Sequence, residues 1–546
     1  MNENTDQTTP LNQTNQYYRI FKDETELDGL REQVLSSRYR QTYHIQPVAG
    51  LMNDPNGFLY HHGNWHLFYQ WCPWGAVHGL KHWYHTVSTD LVHWKNMGLA
   101  IAPDREYENE GAFSGTSITE DDGIRIYYAG NQRDKEGKLV PNVCMAKLFD
   151  DGHLEKSEHE LIPPHPDYTH DQRDPQVICV QEGTEDRYYI LMGARSKDDR
   201  GCLLLYTSDQ RTTGWQFVGQ VKVPGYENFG SVWECPSIIR LREVDLLIFC
   251  PQNILLPGRG QAPHHNVYLL GHMDYQNCIF QPRGSYEFLD YGYDFYAAQC
   301  AAGTASDAQA VMSAWMGLPA AAYPTDSENW SGCLTIPREL TIENGALIQR
   351  PPAALKALRG EHKVITSEQG MKLSRSCEWM IRFQKDGRRY KNPGTANNEG
   401  LYEDLTIEKD RIQQHRDMVM DHDVKIHGKD QPGRIELLRL FSTKDHNGGV
   451  ILSYDSRENM LWIDRSSMTH RFQIDQGEVR GIHLHRMLDS LHGYIDHSSL
   501  EIFVNDGETV ITTRIFPTEE ESYLVLPENE TRIHSAEVWE LQEAQV

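Results

Sequence analysis

A chain of 546 residues with 39% apolar residues, 12 Trp, 27 Tyr and 16 Phe is long and apolar enough to bury more than one core. Its formal charge of −26 repels phosphate backbones and anionic leaflets, which argues against nucleic acid or a membrane surface as a partner. No apolar run approaches the roughly 18 residues that span a bilayer, and the Asn/Gln/Thr-rich stretch from Met1 to Tyr17 lacks a charged-then-apolar signal pattern, so a cytoplasmic protein is expected.

Residues 1–42 read as a polar leader with one short helix. The run Asp23 to Leu35 opens acidic and carries apolar residues at near-helical spacing, weakened by Gly29, so a frayed segment without chemistry is expected. From about residue 43 the pattern changes to short runs rich in Tyr, Phe, Val and Ile broken by Gly, Asn and Asp turns, among them GFLYHHGNWHLFYQ, IRIYYAGN, VICVQEGTEDRYYILMGA and SIIRLREVDLLIFCPQN, which predict antiparallel strands. The ten cysteines stand singly, without CxxC pairs, and are expected as reduced, buried thiols.

Those strands repeat. Stepping by 60 residues from Asp54 in MNDPNG reaches Ser114 in FSGT, Asp174 in RDP, Glu234 in WECP and Asp294 in YDFYA. An apolar strand follows each anchor, as in Phe68-Tyr69-Gln70, Tyr127-Tyr128-Ala129 and Trp315-Met316-Gly317, and the exit signature Ser88-Thr89-Asp90 with Trp94 recurs as Thr207-Ser208-Asp209 with Trp215. Five such units predict a five-bladed β-propeller over residues 43–352, whose first strands line a central channel and bring the anchors together. The pair Pro351-Pro352 marks its end. Further β runs, WMIRFQ, IELLRLF, GGVILSYD, MLWID, SSLEIFVND and TTRIFP, with a hairpin signal at Asn505-Asp506-Gly507, predict a β-sandwich over 353–546 and an all-β protein throughout.

Three anchors are carboxylates with a proline close behind, Asp54, Asp174 and Glu234. Acids gathered in one channel repel each other, and paired carboxylates are the means of glycoside hydrolysis. Trp233 and Cys235 flank Glu234 as apolar neighbours that would raise its pKa and suit it to a general acid. Hydrogen bonds around Asn53 and the Asn56-Gly57 turn would keep Asp54 ionised as a nucleophile, and Arg173 would do the same for Asp174. Asp294 is left with a structural hydrogen-bonding role.

In these residues the chain resembles glycoside hydrolase family 32, the invertase, levanase and inulinase group. The resemblance runs through MNDPNG (52–57), Gln70, the HW and SxDLVHW run ending at Trp94, FSGT (113–116), RDP (173–175), ECP (234–236), DFYA (294–297), YPTD (323–326), PREL (337–340), SSLEIFVNDGE (498–508) and RIFP (514–517). It implies a five-bladed propeller followed by a C-terminal β-sandwich. It also implies retaining hydrolysis of terminal β-fructofuranosides, with Asp54 as nucleophile, Glu234 as acid/base and Asp174 stabilising the transition state. Asn53, Gln70, Phe113, Ser114, Arg173 and Trp315 would line the fructose subsite, with neither metal nor cofactor.

Two departures from the family pattern bear on substrate. Where many members have Trp-Gly, this chain has His78-Gly79-Leu80-Lys81-His82, which looks like the branch acting on sucrose 6-phosphate; His78 and Lys81 would meet a phosphate at the rim, or Lys81 is a solvated loop charge and His82 and His85 are strand residues. Ser237 replaces the aspartate often found after ECP. Sucrose 6-phosphate or sucrose is the expected substrate; the alternatives are an exo-hydrolase of short fructo-oligosaccharides, a fructosyltransferase, or a sugar-binding propeller without catalysis. A homo-oligomer is left open. His264-His265, in a Pro/Gly-rich loop, are expected at the surface, and Trp330 packs between blades or stands at the pocket mouth.

Overall fold

The computed structural model describes residues 16–544 apart from 258, 260, 261, 305–308, 320, 367–369, 385–432 and 528–531, so the first part of the leader and the middle of the expected sandwich region lie outside the described residues. Five largely antiparallel sheets of four or five strands follow one another along residues 50–350, and two six-stranded sheets follow them. We number the first five I to V. Their first strands are Gly50–His61, Gly111–Glu120, Tyr168–Glu182, Trp233–Leu241 and Tyr296–Cys300. Each packs on the first strand of the next sheet, and that of sheet V returns to that of sheet I, so the five enclose a channel. The fold is a propeller followed by a β-sandwich, the all-β architecture the repeats predict.

Sheet I is completed from far along the chain. Trp330–Ser331 pairs in parallel with the start of the first strand, Gly50 opposite Trp330 and Leu51 opposite Ser331. Trp330 is fully buried there, a packing residue and not one at the pocket mouth. The exit signature also has its physical reason: Ser88 Oγ accepts from the backbone of Asp90 (3.1 Å) and Leu91 (2.9 Å), and Ser208 Oγ, one place later in its triplet, accepts from the Gln210 N–H (3.0 Å), a serine-capped turn in both sheets I and III.

The five inner strands share one irregularity. Their pairing with the second strand slips between Met52 and Pro55, Ala112 and Gly115, Arg173 and Gln176, Glu234 and Ser237, and Tyr296 and Gln299. These are bulges, which bend a strand and re-aim a side chain. Asp174 (φ 60), Cys235 (φ 47) and Ala297 (φ 53) take left-handed backbone to make them. Proline, which cannot donate to a ladder, is tolerated at such a place, and that is why Pro55, Pro175 and Pro236 follow the anchors.

The sandwich buries Trp379, Ile381, Leu438, Leu452, Ile463, Ile495, Ile502 and Ile511 between its two sheets. Strands Ser499–Val504 and Thr509–Arg514 form the expected hairpin. Gly507 (φ 95) sits so close to Gln349 that a Cβ would fall 1.8 Å from that residue's carbonyl oxygen, so the turn doubles as a contact with the propeller.

The expectation of a frayed leader fails over the described part. Asp23 caps a short 3-10 turn, Glu24–Leu27, that runs into a helix, Asp28–Ser36, and Leu27 and Val34 are buried. Phe21 packs against Trp71 and Trp74, and its N–H donates to His82 Nε2 (3.0 Å). Further along, Asp496 of the sandwich accepts from the backbone N–H groups of Thr42 (2.8 Å), Tyr43 (2.9 Å) and His44 (3.2 Å). The segment is a strap over both parts, and its aromatic and amide contacts are long-range, invisible to local periodicity. No helix of the described residues is long and apolar enough to cross a membrane.

His44 joins the two parts electrostatically. Its Nδ1 lies 2.8 Å from Asp496 and its Nε2 3.2 Å from Glu501, all three side chains fully buried. Burial opposes its charge, but the bonds to Asp496 and Glu501 outweigh it and raise the pKa to about 9. A folded pKa above the ordinary value of about 6.5 stabilises the fold fully below that value and loses its effect as pH rises to about 9. The stability lost in His44→Gln should therefore be largest near pH 6 and shrink by about 3 kcal/mol toward alkaline pH, read as unfolding midpoints of both proteins across pH. A deficit that does not change with pH would rule the linkage out.

Candidate active site

Four anchors meet at one end of the channel. Asp54 Oδ2 accepts from Ser114 Oγ (2.6 Å) and Gln70 Nε2 (3.3 Å), while its Oδ1 accepts from Asn53 Nδ2 (3.0 Å). Asn53 Nδ2 also donates to Gln70 Oε1 (3.0 Å), and Gln70 Nε2 donates to Ser114 Oγ. In a regular strand Asn53 and Asp54 would face opposite sides. The bulge lets both face the channel.

Asp174 Oδ2 accepts from the Cys235 N–H (2.9 Å) and from the Cys235 thiol (3.5 Å), and the same thiol lies 3.7 Å from Asp54 Oδ2. Burial and the nearby carboxylates push the thiol pKa far up, so Cys235 is a neutral S–H donor shared by two acids. Glu234 is held on both oxygens: Arg173 Nε donates to Oε1 (3.0 Å) and the Tyr296 hydroxyl to Oε2 (2.5 Å). Arg173 also donates to Asp171 (2.9 Å), which pairs with Arg195 (3.2 Å). Phe113 forms part of the sheet II bulge, where its carbonyl accepts from Trp83 Nε1 (3.0 Å). Trp315 lies opposite Tyr296 in sheet V, edge-on to His78 with ring centroids 6.3 Å apart.

The electrostatics differ from the expectation in three places. Asp54 is not held low: burial raises its pKa, the Ser114 and Asn53 bonds and the Lys81 charge pull it down, and Glu234 pushes it up again. Asp174 is raised too, by burial first and then by Glu234, against the lowering influence of Arg173. Glu234 lacks the apolar surroundings expected from its neighbours. Trp233 turns away into the core under sheets III and IV, Cys235 turns toward the aspartates, and a guanidinium and a phenol take their place.

Lys81 is neither solvated nor at the rim. Only 4% exposed, its ammonium donates to Asn53 Oδ1 (2.6 Å) and to His78 Nδ1 (2.9 Å). His78 does stand exposed at the rim. The neighbouring Lys81 charge depresses the His78 pKa strongly. With Nδ1 accepting, the neutral ring carries its proton on Nε2 and is a hydrogen-bond donor. His82 and His85 are buried strand residues of His82–Ser88.

Sequence reasoning placed the fifth anchor wrongly. Asp294 is fully buried away from the acids, where it accepts from Tyr323 (2.8 Å), Arg465 (3.3 Å) and the Arg514 N–H (2.9 Å), so its structural role holds while its place in the channel does not. Tyr296, two residues on at the bulge, is the residue that reaches Glu234. The signal was available in the aromatic of the YDFYA stretch, but a strict step of 60 passes over it. His265 is 3% exposed, not at the surface, and the His264 ring lies edge-on to Tyr296 at 5.6 Å. Cys235 was read only as a neighbour of Glu234.

The arrangement of one carboxylate ringed by neutral donors, a second clamped by a guanidinium and a phenol, and a third bridged to the first through a thiol can attack a carbon and exchange a proton with an oxygen. The profile of the Glycosyl hydrolases family 32 N-terminal domain matches residues 44–351, and that of the family 32 C terminal matches residues 388–540. A sucrose-6-phosphate hydrolase of Staphylococcus xylosus is 35% identical over 92% of this chain and 93% of its own length, and one of Pediococcus pentosaceus is 32% identical over 95% and 94%. Among solved structures, the sucrose-6-phosphate hydrolase of Lactobacillus gasseri superposes with a TM-score of 0.82 at 30% identity, covering 97% of this chain and 99% of that one. The chain belongs to glycosyl hydrolase family 32 and is a glycoside hydrolase.

Proposed function

We propose that the protein hydrolyses sucrose 6-phosphate by a retaining double displacement. The observation that carries this reading is the meeting of Asp54, Asp174 and Glu234 around one thiol and one guanidinium. Asp54 attacks the anomeric carbon of the fructosyl unit while Glu234 protonates the departing glycosidic oxygen, giving a covalent fructosyl-enzyme; Glu234 then takes a proton from water, which attacks the same carbon and frees Asp54. The donors on Asp54 fix its oxygens and stay in place as its charge is consumed and restored. Arg173 and Tyr296 hold the plane of the Glu234 carboxyl, so it keeps one orientation while it gives a proton in the first step and takes one in the second. Asp174, together with Asn53, Gln70, Ser114 and Trp315, binds fructosyl hydroxyls. The similarity to the curated sucrose-6-phosphate hydrolases supports the choice of substrate.

We assign catalysis to residues 43–352 and a supporting role to 353–546, and we place the protein in the cytoplasm, the compartment that retains phosphorylated sugars and keeps thiols reduced. Cell fractionation followed by immunoblotting tests the location; recovery outside the cytoplasmic fraction counts against it.

Asp54→Ala should lower kcat on sucrose 6-phosphate by more than about 10³-fold with little change in KM, and Glu234→Ala by about 10²–10⁴-fold, less on substrates with good leaving groups. Reactions run with methanol should yield the methyl β-fructofuranoside; the α-anomer would mean inversion and remove Asp54 as nucleophile.

His78 and Lys81 should separate under kinetics. If the His78 Nε2–H meets the phosphate, His78→Ala lowers kcat/KM for sucrose 6-phosphate about ten-fold or more and leaves sucrose little affected, whereas Lys81→Met, acting through Asn53, lowers both alike. Equal loss on both substrates for His78→Ala would remove the phosphate contact.

The Lys81 charge favours the Asp54 carboxylate, so its removal raises the Asp54 pKa further. The acid limb of the kcat/KM profile in Lys81→Met should move to higher pH by up to about one unit; an unmoved limb would mean that Lys81 does not set the ionisation of Asp54.

A further inference from the structure

The strand that carries Asp54 ends in two histidines. His61 closes strand Gly50–His61, and His62, with φ 45, begins the His62-Gly63 turn into the second strand. Successive strand residues face opposite ways, but the left-handed backbone at His62 swings its ring round beside that of His61, with centroids 3.9 Å apart and planes inclined by 24°. Both rings face one carboxylate. Asp150, in the turn between Leu139–Phe149 and Leu154–Lys156 of sheet II, lies 2.9 Å through Oδ1 from His61 Nε2 and 3.4 Å through Oδ2 from His62 Nδ1.

We propose that His61, His62 and Asp150 bind one divalent first-row transition ion, zinc being the best match. Donor atoms from the three residues all lie within 4.8 Å of one another. Ligands at about 2.1 Å on a tetrahedral ion stand about 3.4 Å apart, close to the His–Asp separations observed. Two imidazoles and a carboxylate suit zinc, which takes N and O ligands and keeps water in the fourth position. The site has a way in: His61 is buried, but His62 and Asp150 are exposed on a groove of about 690 Å³ between sheets I and II. His66, whose ring lies 6.1 Å from that of His61, is tied through Nδ1 to His85 Nε2 (3.0 Å) and stands just behind the site.

Seven residues of strand separate His61 from Asp54, roughly 20 Å at about 3.3 Å per residue. The ion therefore takes no part in hydrolysis. It staples the turn at the far end of the nucleophile strand to the neighbouring sheet, replacing a His–Asp contact open to solvent with bonds to metal.

The experiment uses the full chain, freed of metal by chelator and dialysed against zinc chloride. Wild-type protein should bind one more equivalent of zinc than His62→Ala or Asp150→Asn, both exposed positions remote from the acids, and all three should hydrolyse sucrose 6-phosphate at the same rate, which checks their folding. Cobalt(II) added to the metal-free wild type should give the visible absorption of a four-coordinate site, lost in both variants. Equal zinc stoichiometry and affinity in the three proteins, with the same cobalt spectrum, would overturn the proposal.

Discussion

Three carboxylates from three strands share one end of the channel, and most of what surrounds them answers their mutual repulsion. Two cations reach them, Arg173 directly and Lys81 through Asn53. The remaining donors are neutral: Ser114, Gln70, the Cys235 thiol and N–H, and the Tyr296 hydroxyl. Burial raises the pKa of Asp54 and Asp174, and the hydrogen bonds from these donors offset it only in part, so proton affinity stays available for chemistry. The bulges make this geometry possible. Without left-handed backbone at Asp174, Arg173 and Asp174 would point to opposite faces of their strand.

The strands, the repeat and the three acids were legible because each depends on local chemistry, alternation of apolar residues, turn residues and an acid before a proline. What was not legible depends on distance through space. Lys81 reads as a loop charge until Asn53, 28 residues before it in the chain, is found beneath its ammonium. Asp54 reads as stabilised by its amide neighbour, yet burial, which no neighbour reports, outweighs the hydrogen bonds. Tyr296 was passed over because the fifth bulge is shifted by two residues from a strict period, and Asp294, which keeps the period, serves the sandwich instead. The aromatic packing of Phe21 hides in a polar leader for the same reason.

Propeller and sandwich are joined by buried charge as well as by apolar surface. Arg338 pairs with both Asp290 (3.0 Å) and Glu501 (2.7 Å), Glu501 also faces His44, and Asp294 meets Arg465, all of them buried. Such a network gains little if replaced whole by apolar groups of the same shape, but loses several kcal/mol when one member is removed. It thereby fixes the orientation of the two parts, since each charge has one position where it is compensated. Two of its members, Asp290 and Asp294, lie just before the first strand of sheet V, whose Tyr296 holds Glu234. The sandwich thus bears on the acid/base residue through the short step from Asp294 to Tyr296.

The parallel pairing of Gly50 and Leu51 with Trp330 and Ser331 has a consequence in time. The strand that carries Asp54 leaves the ribosome early, but its sheet lacks its edge partner until residue 331 has been made. At about 5–20 residues per second that interval lasts roughly a quarter of a minute to a minute. For all of it the nascent chain holds an unsealed edge, and for the first part of it Asp54 stands before Arg173 and Glu234 have been made, so a half-made propeller is exposed to mispairing. Activity is born late, when the ring clasps.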